Sequence, residues 1–238
     1  MVVQRGFIGL GSIVALCSLV LAASAGGCKT QGDGATPAVS DAFTSANVST
    51  NIAATTAKVG VDAGHAGAGT PLVAAAGHQL AAFAEGCFWG SENTYRHVNG
   101  VTNTAVGYTG GHTEHPSYED VCTHTTGHAE TVLVEFDPKV VSYDDLLSVF
   151  WKSHDPTTLN RQGPDVGDSY RSAIFVFNDA QMAAAKASEA AEQQRLAKPI
   201  TTQIATIGKF WLGEGYHQQY DEKTGSESCP IFLAKPKS

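Results

Sequence analysis

An α+β fold, a two-layer sandwich with a mixed β-sheet, is what the order of patterns along this chain predicts. Three observations carry the prediction. Apolar runs of strand length recur between residues 80 and 207 and are separated by stretches of helical period. Two strand patterns, 101–108 and 129–136, are joined by a polar loop with no helical period, so the sheet is not doubly wound throughout. The last stretch, 223–238, has no period and reads as a long, turn-rich C-terminal coil.

Residues 80–84 form an apolar run that reads as the first strand. Gly86-Cys87-Phe88-Trp89-Gly90 follows at a strand-to-helix junction, and 91–98 is amphipathic with Tyr95 and Val98 on one side. Asn99-Gly100 is a helix stop and a turn. The second strand, 101–108, breaks into Gly107-Tyr108-Thr109-Gly110-Gly111. Residues 112–127 are polar, with turns at His115-Pro116 and Thr126-Gly127. The run 129–136 alternates, placing Thr131, Leu133 and Glu135 on one face and Glu130, Val132, Val134 and Phe136 on the other. Asp137-Pro138 ends it. Ser142 with Asp145 opens a capped helix whose stripe is Leu146, Leu147, Phe150 and Trp151. Asp155-Pro156 stops that helix, and 157–171 reads as a polar loop. An apolar strand over 173–177, an Ala-rich helix capped by Asn178 and Gln181 and ended by Pro199, and a last strand over 202–207 complete the alternation. A short helix is expected over 216–222. No internal repeat is present.

The two ends are set apart by composition. Arg5 precedes an apolar run, 7–23, and small residues follow up to Cys28, the layout of an export signal. Ala23-Ser24-Ala25 suits ordinary signal cleavage. Ala25-Gly26-Gly27-Cys28 resembles a bacterial lipobox, which would make Cys28 the site of a lipid anchor. An uncleaved membrane anchor is the third reading. All three place the domain outside the cytoplasm, in the periplasm or cell envelope, and the lipoprotein reading is adopted for 1–28. Residues 29–78, rich in Ala, Gly, Thr and Ser, hold too little apolar surface to offset chain entropy and read as a flexible tether. The domain is then 79–238.

A net charge of −8 without a basic stripe excludes a nucleic-acid partner. Five cysteines are present, Cys17, Cys28, Cys87, Cys122 and Cys229, with no C-x-x-C pair. Cys17 falls in the export segment, and Cys122 is assigned to packing. An odd number of domain cysteines in an exported chain points to one thiol or to a disulfide that cycles. Cys87 sits where helix N–H groups favour a thiolate, so it is the candidate nucleophile. His112, His115, His124 and His128 invite a metal reading, but in a loop broken by Gly and Pro they are read as surface histidines, and no metal is assigned. A cysteine hydrolase, with Cys87 served by His128 or His154 and oriented by Asp155 or Asp165, is a competing reading. A non-enzymatic surface domain is another.

Gly86-Cys87-Phe88-Trp89 resembles the active-site signature of the A-type peptide methionine sulfoxide reductases. The resemblance continues through 107–111, Tyr118, Gly127-His128-Ala129-Glu130, 154–158, 161–172 and His217-Gln218-Gln219-Tyr220, and then reaches Cys229. It implies a ferredoxin-like core and a reductase of methionine sulfoxide, preferring the S epimer, free or in oxidised proteins. It further implies Cys87 as the nucleophile, Glu130 as the acid for the sulfoxide oxygen, and Tyr118 and Tyr170 as phenols bonded to that oxygen. Phe88 and Trp89 would hold the S-methyl group, Asp165 would line the cleft, and Cys229 would resolve the sulfenic acid. No further cysteine follows Cys229, so one disulfide, Cys87–Cys229, would cycle and be reduced by a thioredoxin-like donor. No cofactor is implied, and a monomer is expected. A carboxylic acid at position 130 suits the chemistry because a sulfoxide oxygen leaves only when protonated, which requires a buried or shared proton.

Overall fold

The computed structural model describes residues 73–226. The expected export segment with Cys28, the tether up to residue 72, and 227–238 with Cys229 lie outside them. The elements run β1 (Gln79–Glu85), α1 (Phe88–Arg96), β2 (Val101–Thr109), α2 (Tyr118–Cys122), β3 (Ala129–Phe136), α3 (Tyr143–Ser153), β4 (Arg161–Gln162), β5 (Asp165–Val166), β6 (Ser172–Val176), α4 (Asp179–Gln193), β7 (Gln203–Thr206), β8 (Trp211–Leu212) and α5 (Tyr220–Thr224).

One sheet has the order β7-β6-β1-β3-β2-β8. Its four central strands, β6-β1-β3-β2, are antiparallel, with α1 and α3 as their crossovers, which is the ferredoxin-like arrangement. The β6-α4-β7 unit adds a parallel strand and makes the sheet mixed. β4 and β5 form a separate hairpin.

The helices cover one face of the sheet. Phe83, Val132, Val134, Phe136 and Ile174 pack there against Tyr95 of α1 and Leu146, Leu147 and Phe150 of α3. The opposite face is floored by small residues, Ala82, Ala84, Ala105, Ala129 and Ala173. Those alanines leave room for the segment that crosses from β7 at one edge to β8 at the other, and its Phe210 is fully buried on them. β3 is therefore covered on both sides and buried along its whole length, although its alternation suggested one core face. Glu135 goes inside because it is bonded: it accepts from the Ala75 amide at 2.7 Å and from Asn103 Nδ2 at 2.8 Å. Ala75 and the packed Ala74 show that the end of the expected tether lies against the domain.

The caps follow the sequence closely. Ser142 and Asp145 form a reciprocal capping box on α3. Asn178 accepts from the Gln181 amide at 2.9 Å, but Gln181 turns its own side chain to the Phe177 amide and the Leu80 carbonyl. Three features were not anticipated: α2, with its own box of Ser117 and Asp120, lies inside the polar loop expected over 112–127, the β4–β5 hairpin lies inside the one expected over 157–171, and β8 adds an edge strand. Beneath the start of α1, the buried Glu85 accepts from Tyr95 Oη and Ser153 Oγ, each at 2.8 Å, and so ties β1 to both crossover helices. Burial pushes its carboxyl up to about 7, against the lowering effect of those two hydrogen bonds.

Candidate active site

Gly86 makes the turn from β1 into α1 with φ +97°, and a Cβ there would lie 2.6 Å from Gln162 Cβ. Only glycine fits both the dihedral and the contact. The turn places Cys87 as the N-cap of α1, half-buried. The helix thus begins three residues before its amphipathic stretch, because its first turn faces a site and not the core.

The amide of Phe88, first in that helix, donates to Glu130 Oε2 at 3.1 Å. Glu130 is 2 % exposed, on β3, opposite Tyr108 in register. A carboxyl is thereby fixed beside the nucleophile by the same helix start that carries it. Tyr118 opens α2, and Tyr170 closes a 3-10 turn over Asp168–Tyr170. Both phenols hold their protons far above the ordinary range, first through burial and next through the charge of Glu130. Each also feels Cys87 and Asp165. The structure therefore gathers Cys87, Glu130, Tyr118, Tyr170 and Asp165, which come from five separate stretches of chain. Cys229 lies outside the described residues.

Phe88 and Trp89 do not simply bury the thiol. Trp89 stacks on Tyr220 with centroids 3.8 Å apart and planes 8° from parallel. Its indole N–H donates to His217 Nδ1 at 2.9 Å. His217 is fully buried and also meets Phe88 at 4.9 Å and Tyr118 at 4.5 Å. Burial pushes this imidazole down to about 4 despite nearby Glu214 and Glu119, so it is neutral near pH 7. Nδ1 accepts, so the proton sits on Nε2. An apolar, aromatic wall is thus locked in place next to Cys87. The segment that carries His217 is held by Gln218, which accepts from the Val106 amide at 2.8 Å and donates to the carbonyls of Val106 and Gly213. It is held again by the Gln219 amide, which donates to the buried Glu92 at 2.6 Å.

Sequence reasoning gave no role to His217, Tyr220, Tyr108 or Glu214. The signal for the first two was present in His217-Gln218-Gln219-Tyr220, which counted only as spacing.

The competing bases are occupied elsewhere. His128 accepts from the Gly111 amide and pairs through Nε2 with the Thr113 carbonyl at 2.7 Å. His154 pairs with the Phe150 carbonyl and Ser172 Oγ, and burial pushes it down to about 4. Both hold the scaffold, which removes the hydrolase arrangement. Among the described residues no group of three or more side chains forms a metal site. Cys122, expected only to pack, is disulfide-bonded.

A thiol at a helix start, a buried carboxyl on the neighbouring amide, two protonated phenols and an aromatic wall, all on an α+β scaffold, define a cysteine-based oxidoreductase. Residues 79–237 match the model of the family described as peptide methionine sulfoxide reductase. A peptide methionine sulfoxide reductase MsrA of Methanosarcina acetivorans is 61 % identical over 151 residues, covering 63 % of this chain and 80 % of that one. Reduced Mxr1 of Saccharomyces cerevisiae superposes with TM-score 0.63 at 36 % identity, over 66 % of this chain and 91 % of that one. Methionine sulfoxide reductase A of Corynebacterium diphtheriae gives 0.63 at 31 % identity, over 75 % and 98 %. The chain belongs to the peptide methionine sulfoxide reductase family, in its A type, and its activity is the reduction of methionine sulfoxide.

Proposed function

We propose that this chain reduces the S epimer of methionine sulfoxide, in oxidised proteins or as the amino acid, through a sulfenic acid on Cys87 and an internal disulfide with Cys229, outside the cytoplasm. The observation that carries the reading is the Phe88 amide bonded to Glu130 Oε2 at 3.1 Å, which sets an acid and a thiol on one helix start.

The steps follow from that arrangement. The substrate's methyl group lies against Phe88 and Trp89, and its sulfoxide oxygen faces Glu130, Tyr118 and Tyr170. Cys87 attacks sulfur as a thiolate, while Glu130 protonates the oxygen and the phenols donate to it as negative charge develops. The attack forms an S–S bond and leaves a hydroxyl on the substrate sulfur. That hydroxyl then moves to the Cys87 sulfur with the pair of its broken S–O bond, while the S–S bond breaks and its pair leaves on the sulfur of methionine, so that Cys87 is left as a sulfenic acid. Cys229 then attacks the sulfenic sulfur, water departs, and a disulfide forms. A thioredoxin-like dithiol restores both thiols by exchange. The fixed wall on one side and the oxygen donors on the other favour a single epimer.

Incubation with a peptide carrying either sulfoxide epimer, with dithiothreitol, tests the core of this. Loss of the S epimer alone is expected, and a folded protein that reduces neither epimer overturns the reading. Cys87→Ser is expected to abolish turnover. Cys229→Ser is expected to yield one equivalent of methionine and then stall with a thioredoxin-like donor, whereas Cys122→Ser is expected to recycle. The reverse pattern would move the resolving role to Cys122.

The location rests on the apolar run after Arg5 and the small residues before Cys28. The mass of the mature N-terminus separates a lipid on Cys28 from cleavage after Ala25. Among the described residues no helix is long and apolar enough to cross a membrane.

A further inference from the structure

Glu214 stands outside the set of groups that the proposed mechanism sets against the substrate, yet its carboxyl group reaches three elements of the site. Oε1 accepts from the amide of Tyr118 at 2.8 Å. That amide is the first of α2, a donor that the helix itself leaves without a partner. Oε2 accepts from Tyr108 Oη at 2.8 Å. Tyr108 is fully buried and is the register partner of Glu130. The same Oε2 lies 3.7 Å from His217 Nε2. That nitrogen carries the imidazole proton, is buried, and has no hydrogen-bond acceptor among the described residues. A buried donor left unmade is costly and calls for a reason. Glu214 is the carboxylate placed to take it up, and a shift of under about 1 Å brings the pair within hydrogen-bond range.

We infer that Glu214 is a positioning residue: it sets where the Tyr118 hydroxyl meets the sulfoxide oxygen and, through His217, steadies Trp89 against the substrate's methyl group. This rests on the functional reading above. The geometry explains why α2 can be only five residues long and still hold a phenol in place. Its Ser117–Asp120 box fastens the helix to itself, and Glu214, 96 positions later, fastens it to the sheet and to the aromatic wall. The link also places control of Tyr118 on the segment that runs through His217 into α5.

A double-mutant cycle on the full chain tests this, read as the single-turnover rate of methionine formation at saturating sulfoxide. Glu214→Ala is expected to slow that rate by roughly tenfold to a hundredfold, the scale of a misplaced catalytic group. Glu214→Gln keeps an acceptor for the Tyr118 amide and a partner for Tyr108 Oη, and is expected to restore most of the rate. In a Tyr118→Phe background Glu214→Ala is expected to add little, because the hydroxyl it positions is gone. Fully multiplicative effects, or a Gln variant as slow as the Ala variant, overturn the positioning role. Should Glu214→Ala fail to fold, Glu214→Asp takes its place in the same cycle, since the shorter side chain cannot reach both Tyr118 and Tyr108. A wild-type chain that reduces no sulfoxide fails the functional reading itself, whereas an active wild type with multiplicative variants fails only Glu214.

Discussion

At the scale of single residues, the proposed mechanism separates groups that would act on the sulfoxide oxygen from groups that would hold the methyl. Charge gathers on the oxygen only as Cys87 attacks, so loss of an oxygen donor should lower kcat more than it raises KM. Glu130→Gln keeps the acceptor for the Phe88 amide but removes the acid, and is expected to slow the first turnover by about a hundredfold or more. Tyr118→Phe and Tyr170→Phe should act in the same direction, each less than Glu130→Gln. Trp89→Ala, by contrast, removes a contact present in ground and transition states alike and should raise KM with a smaller loss of kcat. Single-turnover and steady-state rates on one sulfoxide peptide separate the two classes. Cys87 was legible as a candidate from the strand-to-helix junction, whereas the parts expected of Phe88, Trp89 and Glu130 came from the family resemblance, with the alternating strand showing only which face Glu130 shares. His217 and Glu214 were not, since they come from a segment without period whose position is set by hydrogen bonds that tie Gln218 to β2 and Gln219 to α1. The disulfide at Cys122 left no local trace either.

At the scale of elements, β8 shows how little sequence is needed to build an edge strand and how much depends on it. Two residues, Trp211 and Leu212, pair with Tyr108 and Gly107, and the chain then turns into the segment bearing Glu214 and His217. Gly107 is required by that approach: a Cβ there would sit 2.2 Å from the Trp211 carbonyl oxygen and 2.7 Å from the Phe210 ring. Gly107→Ala is expected to cost about 1–3 kcal/mol, the usual range for overpacking. Because β8 leads directly to His217 and Glu214, sulfoxide reduction should fall along with stability. Urea unfolding measured beside activity checks both; an unchanged midpoint would mean that β8 yields freely. Elements with a strong period and a chemical stop, such as β3 before Asp137-Pro138 and α3 between Ser142 and Asp155-Pro156, were legible within a residue or two. α2 and β8 were not, because a five-residue helix and a two-residue strand are too short to show a period. They exist through tertiary contacts with β2 and Glu214. The double coverage of β3 was hidden for a related reason: the cover on its second face is the crossing segment with Phe210, and polar residues such as Glu135 are bonded inside.

For the whole molecule, three buried titratable groups give stability a definite dependence on pH. His154 and His217 are held neutral by burial, each pushed from the ordinary 6.5 down to about 4. As pH falls through that window the unfolded chain takes up protons that the native state refuses, so both groups make the fold less stable on the acid side. Glu85 works in the opposite sense. Its carboxyl rises from 4.5 to about 7, and between those values the native state keeps a proton that the unfolded chain has released. Its contribution is therefore full below about 4.5 and is lost as pH rises through 7, a change of about 3 kcal/mol. Above 7 the fold holds a buried carboxylate with two hydroxyl donors, Tyr95 and Ser153. Glu85→Gln replaces it with a neutral group of the same shape, which accepts from one hydroxyl and donates to the other. The variant should gain on the wild type by about 1.4 kcal/mol per pH unit across the window, and then run parallel to it at higher pH. The two histidines are common to both proteins and cancel in the difference. Urea midpoints of the pair at several pH values between about 5 and 8 read this directly. Parallel curves throughout would show that Glu85 is already ionised in the native state at the acid end, and that the tie among β1, α1 and α3 is a charged one.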